Sequence, residues 1–213
     1  MMHTRVYSES LDKKPLVLFF ANASPFSNFH YSPFKATLSN GTTHEFHCSE
    51  QYFMAEKALL VNDLVSYEKI LKHSVPQEIK WIGRKLNMNK LDLEKWSTAG
   101  TIAMKNACYE KFAQNKNIRS ILFRTMNMEL AEASPYDQIW GIGLDVMNTE
   151  ANDKNNWKGT NRLGVVLDIV RVELMQRREF RKDVQKVEKE SLEERIDKIE
   201  IYKCENHIYH HIN

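Results

Sequence analysis

Ser49-Glu50-Gln51-Tyr52-Phe53-Met54-Ala55-Glu56-Lys57-Ala58 is where this chain turns from extended runs to helices. A Ser that can cap, followed at once by an acid, is a helix start. Glu50, Phe53, Met54 and Lys57 recur at i, i+3, i+4 and i+7, so a 3.6-residue period brings all four onto one face. Glu50 and Lys57 then stand roughly 10 Å apart along the axis, too far for a fixed ion pair. Long side chains can still lean inward and address two ends of one small polar substrate. The same letters suit an ordinary helix, with an acid favoured by the macrodipole and Phe53 and Met54 as core residues.

Upstream, Leu16-Val17-Leu18-Phe19-Phe20 is a short, wholly apolar run between Pro15 and Asn22, the profile of a buried strand. The stretch 24–34 is dense in aromatics, Ser and Pro and resists both helix and sheet. Extended runs over 35–38 and 42–46 flank Ser39-Asn40-Gly41, a hairpin signal. Downstream, helices are expected over 49–60, over 63–72 capped by Asp63, and over 74–85 with a Ser74/Gln77 capping box around Pro76. Further helices are expected from Asp92 or Thr98 to 114, from Asn117 to 126, and over 162–178 on a stripe of Leu163, Val166, Leu167, Val170 and Leu174. The segment 129–159 reads as a long Asn-, Asp- and Lys-rich loop, and a loop of that length is functional or disordered. Hairpin first, helices after and no βαβ alternation give an α+β class: a mostly helical single domain with a small N-terminal β-sheet or hairpin.

With 213 residues the chain can build one domain with a sizeable core, not two full ones. Its 30 Lys+Arg nearly balance 28 Asp+Glu, which removes any strong general pull toward nucleic acid or an anionic membrane. Cys48, Cys108 and Cys204 are scattered, without zinc-site spacing or an even disulfide framework, so a reducing compartment is expected. The polar start of the chain has no apolar signal segment and no later run reaches bilayer length; a soluble, cytoplasmic protein is expected. Residues 177–200 carry eight basic and eight acidic side chains. Val184, Val187, Leu192, Ile196 and Ile199 make only an irregular stripe there, which reads as a solvated helical extension. The expected organisation is an N-terminal extension over 1–15, a domain over 16–178 and a charged helical extension over 179–213. His207, His210 and His211 are assigned no native metal role, because nothing nearby completes a site.

Three further clusters carry chemistry. Ser134-Pro135-Tyr136-Asp137 with Trp140-Gly141 sets a carboxylate three residues from an indole at a Gly-flanked turn, which serves either a heterocyclic ligand or a structural turn. Trp96 and Lys105 share the long helix. Lys158-Gly159-Thr160-Asn161-Arg162-Leu163-Gly164 opens an apolar helix, as an anion site at its N-terminus or through ordinary capping. Gly83-Arg84 likewise suits phosphate binding or a helix end. Phosphate-cradling Gly-rich loops, dinucleotide fingerprints and nucleophile elbows are missing from the sequence, which argues against kinases, NAD dehydrogenases and serine hydrolases. Carboxylates, a lysine, stacking aromatics and arginines remain, a set suited to gripping a base and a sugar phosphate and acting on the bond between them.

These residues resemble the NADAR, or YbiA-like, family. The matching elements are Pro25-Phe26-Ser27-Asn28-Phe29, Ser49-Glu50-Gln51-Tyr52-Phe53 with Lys57, Gly83-Arg84, Trp96, Lys105, Leu130 with Glu132, Asp137 with Trp140-Gly141, and Gly159 with Asn161-Arg162-Leu163-Gly164. Together they cover 16–176. The resemblance implies a largely helical α+β domain that hydrolyses N-glycosidic bonds. Its members are associated with reactive early intermediates of riboflavin biosynthesis, releasing ribose 5-phosphate and an aminopyrimidine, and others with ADP-ribose derivatives, including ADP-ribosylated guanine. Gln51 stands where some members have His, which sets aside a mechanism that requires that imidazole.

From the resemblance, Glu50, Lys57 and Asp137 are the expected catalytic residues: Glu50 as the carboxylate at the sugar C1 or the general base, Asp137 as second acid or sugar ligand. Lys57 is expected either to form a Schiff base with the opened sugar or to pair with phosphate. Phe29, Arg84, Trp96, Lys105, Trp140, Asn161 and Arg162 are the expected substrate-binding residues, the indoles on the base and the arginines on phosphate. No metal or organic cofactor is expected. The expected partner is a small phosphoribosyl or ADP-ribosyl molecule, with metabolite repair as the leading function. Removal of ADP-ribose from guanine in nucleic acid, and a non-catalytic ADP-ribose or NAD binding module, are the alternatives.

Overall fold

The computed structural model describes residues 3–9 and 14–202. Cys204, His207, His210 and His211 lie outside the described residues, as do parts of both expected terminal extensions. The class is α+β and mostly helical, as expected, with eight α-helices and two small sheets among the described residues. The chain forms two compact units, one from the described residues of Met1–His30 and Lys116–Asn213, the other from Tyr31–Asn115.

The first unit is organised by a three-stranded sheet. Strand β1 (Thr4–Tyr7) runs antiparallel to β2 (Leu16–Phe19), the buried apolar run. On the other side of β2 lies a parallel strand, Glu129–Glu132, with Leu16 opposite Glu129 and Phe19 opposite Glu132. Local pattern reaches neither partner of β2: Thr4–Tyr7 falls in the expected N-terminal extension and Glu129–Glu132 in the expected loop. Four-residue strands at a sheet edge show too few alternations to register, and a parallel pair needs a long crossover that leaves no local turn signal.

The second unit begins with the expected hairpin, β3 (Phe34–Thr37) against β4 (Thr43–Phe46). Its connection is longer than a two-residue Asn-Gly turn: Leu38 N–H donates to Thr42 O, and only Gly41, at φ +83°, takes a left-handed conformation. Four helices follow: α1 (Ser49–Leu60), α2 (Leu64–Lys72), α3 (Pro76–Arg84) and α4 (Lys90–Gln114). α1 is central and packs on the other three. Glu56 of α1 accepts from Ser39 N–H and Ser39 Oγ and so holds the hairpin end. Entry and exit of this unit are clasped together: the Gln114 amide exchanges two hydrogen bonds with the Lys35 backbone, and Asn115 Nδ2 donates to Pro33 O.

Helix positions agree with expectation better than their caps do. Asp63 caps α2 by accepting from Ser66 N–H at 2.9 Å. Ser49, however, is the first helical residue and Cys48 holds the N-cap position; α3 is led by Val75 and Pro76 without a Ser74 box; and α4 starts earlier, at an Asn89/Asp92 capping box. In the first unit, α5 (Lys116–Arg124) starts ahead of Asn117, and α6 (Arg162–Met175) buries the full expected stripe. The charged segment is helical, as α7 (Arg181–Glu188) and α8 (Leu192–Glu200), but it is packed. Val184, Val187 and Ile199 are buried, Arg119 pairs with Asp183, and Arg124 forms a two-pronged pair with Glu190. Glu200 accepts from Val6 N–H of β1 at 2.8 Å.

Candidate active site

The expected face of α1 is present in the second unit. Glu50, in the first turn, is 2% exposed. Phe53 packs against Trp96 of α4 with ring centroids 4.9 Å apart, and Trp96 in turn lies over Gly100, where a Cβ would meet its indole at 3.0 Å. Met54 occupies the space above Gly83, and a methyl group there would collide with its sulfur. Lys57 Nζ donates to Gly83 O at 2.9 Å, so α3 presents its last-turn carbonyl to the ammonium. Burial draws the Lys57 pKa below the ordinary lysine value, the Glu50 carboxylate opposes this and the Arg84 guanidinium adds to it. A buried carboxylate and an exposed guanidinium thus act on a half-buried amine held at the Gly83 end of α3, with the Phe53–Trp96 pair on the same face of α1 as the carboxylate and the amine. Lys105 is half-buried further along α4.

Gln51 looks outward from this group. Its Oε1 accepts from His47 N–H, and its Nε2 donates to Ile70 O, Leu71 O and His73 O at 3.1, 3.2 and 2.9 Å. The carbonyls at the end of α2 lack intrahelical donors, and this one amide serves them. Position 51 is thereby a fastener between α1 and α2. Gln51→Leu is expected to destabilise the protein by about 2–4 kcal/mol, since it strands four backbone groups, one buried and three partly buried. Urea titration checks this; an unchanged midpoint would show that the cap is dispensable.

Lys111 is not among the expected site residues. It lies on the inner stripe of α4 with Ala103, Met104, Ala107, Cys108 and Phe112, and that spacing was the available signal. The side chain is fully buried. Burial pulls its pKa down to about 8, against the smaller opposing effects of Cys108 and Cys48, while burial pushes the Cys48 thiol up to about 12. The unfolded chain holds the Lys111 proton to higher pH than the folded one, so this residue adds stability as pH rises from about 8 to about 10.5. Relative to Lys111→Met, the wild type is expected to gain about 3 kcal/mol across that range. Parallel stability curves for the two proteins would refute it.

The first unit holds the other expected residues. Asp137 Oδ1 accepts from Ile139 and Trp140 N–H at 3.0 and 2.8 Å and folds the turn. The segment 138–141 is zipped to 160–163: Thr160, Asn161, Arg162 and Leu163 N–H donate to the carbonyls of Gln138, Gly141, Ile139 and Trp140. Asp137, Trp140, Asn161 and Arg162 are therefore neighbours, and the supposed loop is an ordered, hydrogen-bonded element. At the start of α6 the Arg162 and Leu163 amides already donate to carbonyls through these bonds. Asn161 has a structural part here. It is 4% exposed, takes a left-handed φ of +52°, and ties the Glu129–Glu132 strand to α6 by accepting from Glu132 N–H and donating to Leu130 O. The Arg162 side chain stays half-buried, and Phe29 lies half-buried in the 24–30 turns.

Among the described residues no group of three or more His, Cys, Asp or Glu could hold a metal ion, and no helix is long and apolar enough to cross a membrane.

A mostly helical α+β chain with a carboxylate, a phenylalanine and a lysine on one face of α1 and a tryptophan of α4 packed against that phenylalanine is of the NADAR kind, and the comparisons agree. The chain belongs to the NADAR domain family, whose profile matches residues 18–175 and takes in all of the second unit. It is 48% identical over 208 residues to Protein irg-1 of Caenorhabditis elegans, covering 93% of this chain and 98% of that one. N-glycosidase R617 of Acanthamoeba polyphaga mimivirus is 36% identical over 152 residues, covering 71% of this chain and 88% of its own. N-glycosidase YbiA of Escherichia coli is 32% identical over 149 residues, covering 70% and 80%. The solution structure of E. coli YbiA superimposes with a TM-score of 0.59 at 26% identity, covering 90% of this chain and 94% of that one.

Proposed function

We propose that this chain is an N-glycosidase acting on phosphoribosylaminopyrimidines, the reactive early intermediates of riboflavin biosynthesis, and releasing ribose 5-phosphate. It is a hydrolase of N-glycosyl bonds, in keeping with relatives named for that activity. The observation that carries the reading is Lys57, held at Gly83 O between the Glu50 carboxylate and the Arg84 guanidinium. Departure of the base builds positive charge on the sugar C1, which the buried Glu50 carboxylate stabilises while it takes a proton from the attacking water. Glu50 passes that proton to the departing amine as the C1–N bond breaks, so the base leaves as the free amine, the sugar gains the hydroxyl and the carboxylate is restored. The exposure of Arg84 at the end of α3 supports a contact with phosphate, and the half-buried Trp96, backed by Phe53, supports stacking on the pyrimidine. Lys57, with its lowered pKa, is fit to form a Schiff base with the opened sugar.

Incubation with 5-amino-6-(5-phosphoribosylamino)uracil is expected to release ribose 5-phosphate, and borohydride added during turnover is expected to trap a sugar on Lys57. Release without trapping would leave Lys57 as a phosphate ligand only. A second reading, removal of ADP-ribose from guanine, is favoured by the exposed Trp81, Lys85 and Lys90 around Arg84, where Lys85 Nζ sits 3.2 Å over the Trp81 ring. Release from ADP-ribosylated guanine but not from the aminopyrimidine would select it, and binding without release from either would select a binding module.

A further inference from the structure

Glycine is the weakest helix former after proline, yet Gly83 lies in the last turn of α3. Its backbone does not ask for glycine, since among the described glycines only Gly41 and Gly143 have positive φ. Space does ask for it. A Cβ at position 83 would overlap Met54 Sδ and lie 2.9 Å from Met54 Cγ and 3.4 Å from Met54 Cβ. Met54 is 5% exposed and its Cβ is fixed by the α1 backbone, so swinging the thioether aside does not make the room. The close approach of α3 to α1 at this point has one visible use. Met54 and Lys57 are neighbours on α1 at i and i+3, and the carbonyl of the same Gly83 accepts from Lys57 Nζ at 2.9 Å. Satisfying a last-turn carbonyl does not by itself require glycine, because a long cation can reach one from a more distant helix.

We infer that Gly83 and Met54 are positioning residues for Lys57: the absent side chain admits the thioether, α3 closes on α1, and Gly83 O is carried to the amine. This deepens the proposed function and rests on the role given there to Lys57. An amine with one N–H on a fixed carbonyl cannot turn freely about Cε–Nζ, so its lone pair keeps to the two staggered directions left. A nucleophile ordered in this way has less freedom to lose when it meets a sugar carbon. The same closure keeps Lys57 half-buried and Arg84 near it, the two causes that draw its pKa down, with Glu50 opposing them. Met54 is thus a spacer whose thickness, with nothing at position 83, sets how the amine is held.

Gly83→Ala is expected to push α3 outward and to lower kcat/KM for 5-amino-6-(5-phosphoribosylamino)uracil by about a hundredfold. Met54→Ala, which removes buried surface and adds none, is expected to lower the thermal midpoint at least as far and to cost only about fivefold in kcat/KM. Adding Met54→Ala to Gly83→Ala makes room for the methyl and is expected to recover about tenfold of the loss, the reverse of what two independent defects give. Lys57 itself is read without substrate, by trace acetylation over a pH series with mass spectrometry. Its titration midpoint should rise toward the ordinary lysine value in Gly83→Ala, as burial and Arg84 are relieved, and return in the double variant. If Gly83→Ala does not fold, a double variant that folds with Lys57 near its wild-type midpoint bears the inference out. A double variant that recovers only one of the two readouts, or neither, or does not fold, overturns it. So does a loss of activity that follows the thermal midpoint through all three variants, as a merely structural contact would give. Labelling that moves and returns while turnover stays level supports the positioning and removes Lys57 from the chemistry, which is a failure of the proposed function instead. Where the wild type releases no ribose 5-phosphate the substrate is at fault, and the labelling series still decides.

Discussion

Glu50→Gln is expected to fold as the wild type does and to lose roughly 10²–10⁴-fold in turnover. The substitution keeps the shape of a side chain that is 2% exposed in the first turn of α1 and removes only its charge and basicity. Two consequences follow if the carboxylate both stabilises the sugar cation and receives a proton from water. The fall should appear in kcat more than in KM, since the charge is needed in the transition state and not for binding. Glu50 also opposes the burial that lowers the Lys57 pKa, so in the variant that pKa drops further and any borohydride trapping moves to lower pH. Turnover within threefold of wild type, with the pH profile unmoved, would remove Glu50 from the chemistry and with it the proposed mechanism.

Truncation after Gln176 is expected to prevent the first unit from folding, although the family match ends at residue 175. The lost segment carries Phe180, Val184, Val187 and Ile199, all buried, at about 1.5–3 kcal/mol each. It also carries Asp183 and Glu190, the acids that meet Arg119 and Arg124 of α5, and those arginines are 6% and 8% exposed. An arginine left buried without its acid costs about 3–5 kcal/mol. The combined loss matches or exceeds the whole stability of an ordinary domain. Near-ultraviolet circular dichroism and limited proteolysis of the truncated chain are the measurements. A cooperative thermal transition at the wild-type temperature would show that α7 and α8 are accessory after all. The paired change Arg124→Met with Glu190→Met separates charge from burial: it removes both ions together and is expected to cost far less than truncation.

The parts of this protein that were legible from residues are those whose signal is local. Asp63 announces α2 because its carboxylate bonds a backbone amide three residues on, and the α6 stripe follows from helical period alone. Glu50, Phe53, Met54 and Lys57 were placed on one face for the same reason. Ser49 and Ser74 misled because Ser is only permitted to cap, and at both helices another residue holds that position. Gln51, Asn161 and Lys111 were illegible in role because their partners are remote: the end of α2 for the first, a strand about thirty residues earlier for the second, the interior between α1 and α4 for the third. Arg84 was legible as a candidate from its sequence context, but its nearness to Lys57 was not, because Gly83 O meets Lys57 Nζ across 26 positions of sequence.

The discontinuity of the first unit sets an order on its birth. Residues 31–115 form a unit with a clasped entrance and exit, so it can close as soon as Asn115 has been synthesised. The other unit cannot. β2 must wait for Glu129–Glu132 before it gains its parallel neighbour, and Val6 meets Glu200 across 194 positions of sequence. Contacts of such separation are slow to form and leave apolar edges bare in the meantime. For most of translation β2, four residues without an exposed member, therefore stands without its full sheet. The nascent chain's window of vulnerability to aggregation and to chaperones lies there, and it ends only when the charged C-terminal helices arrive.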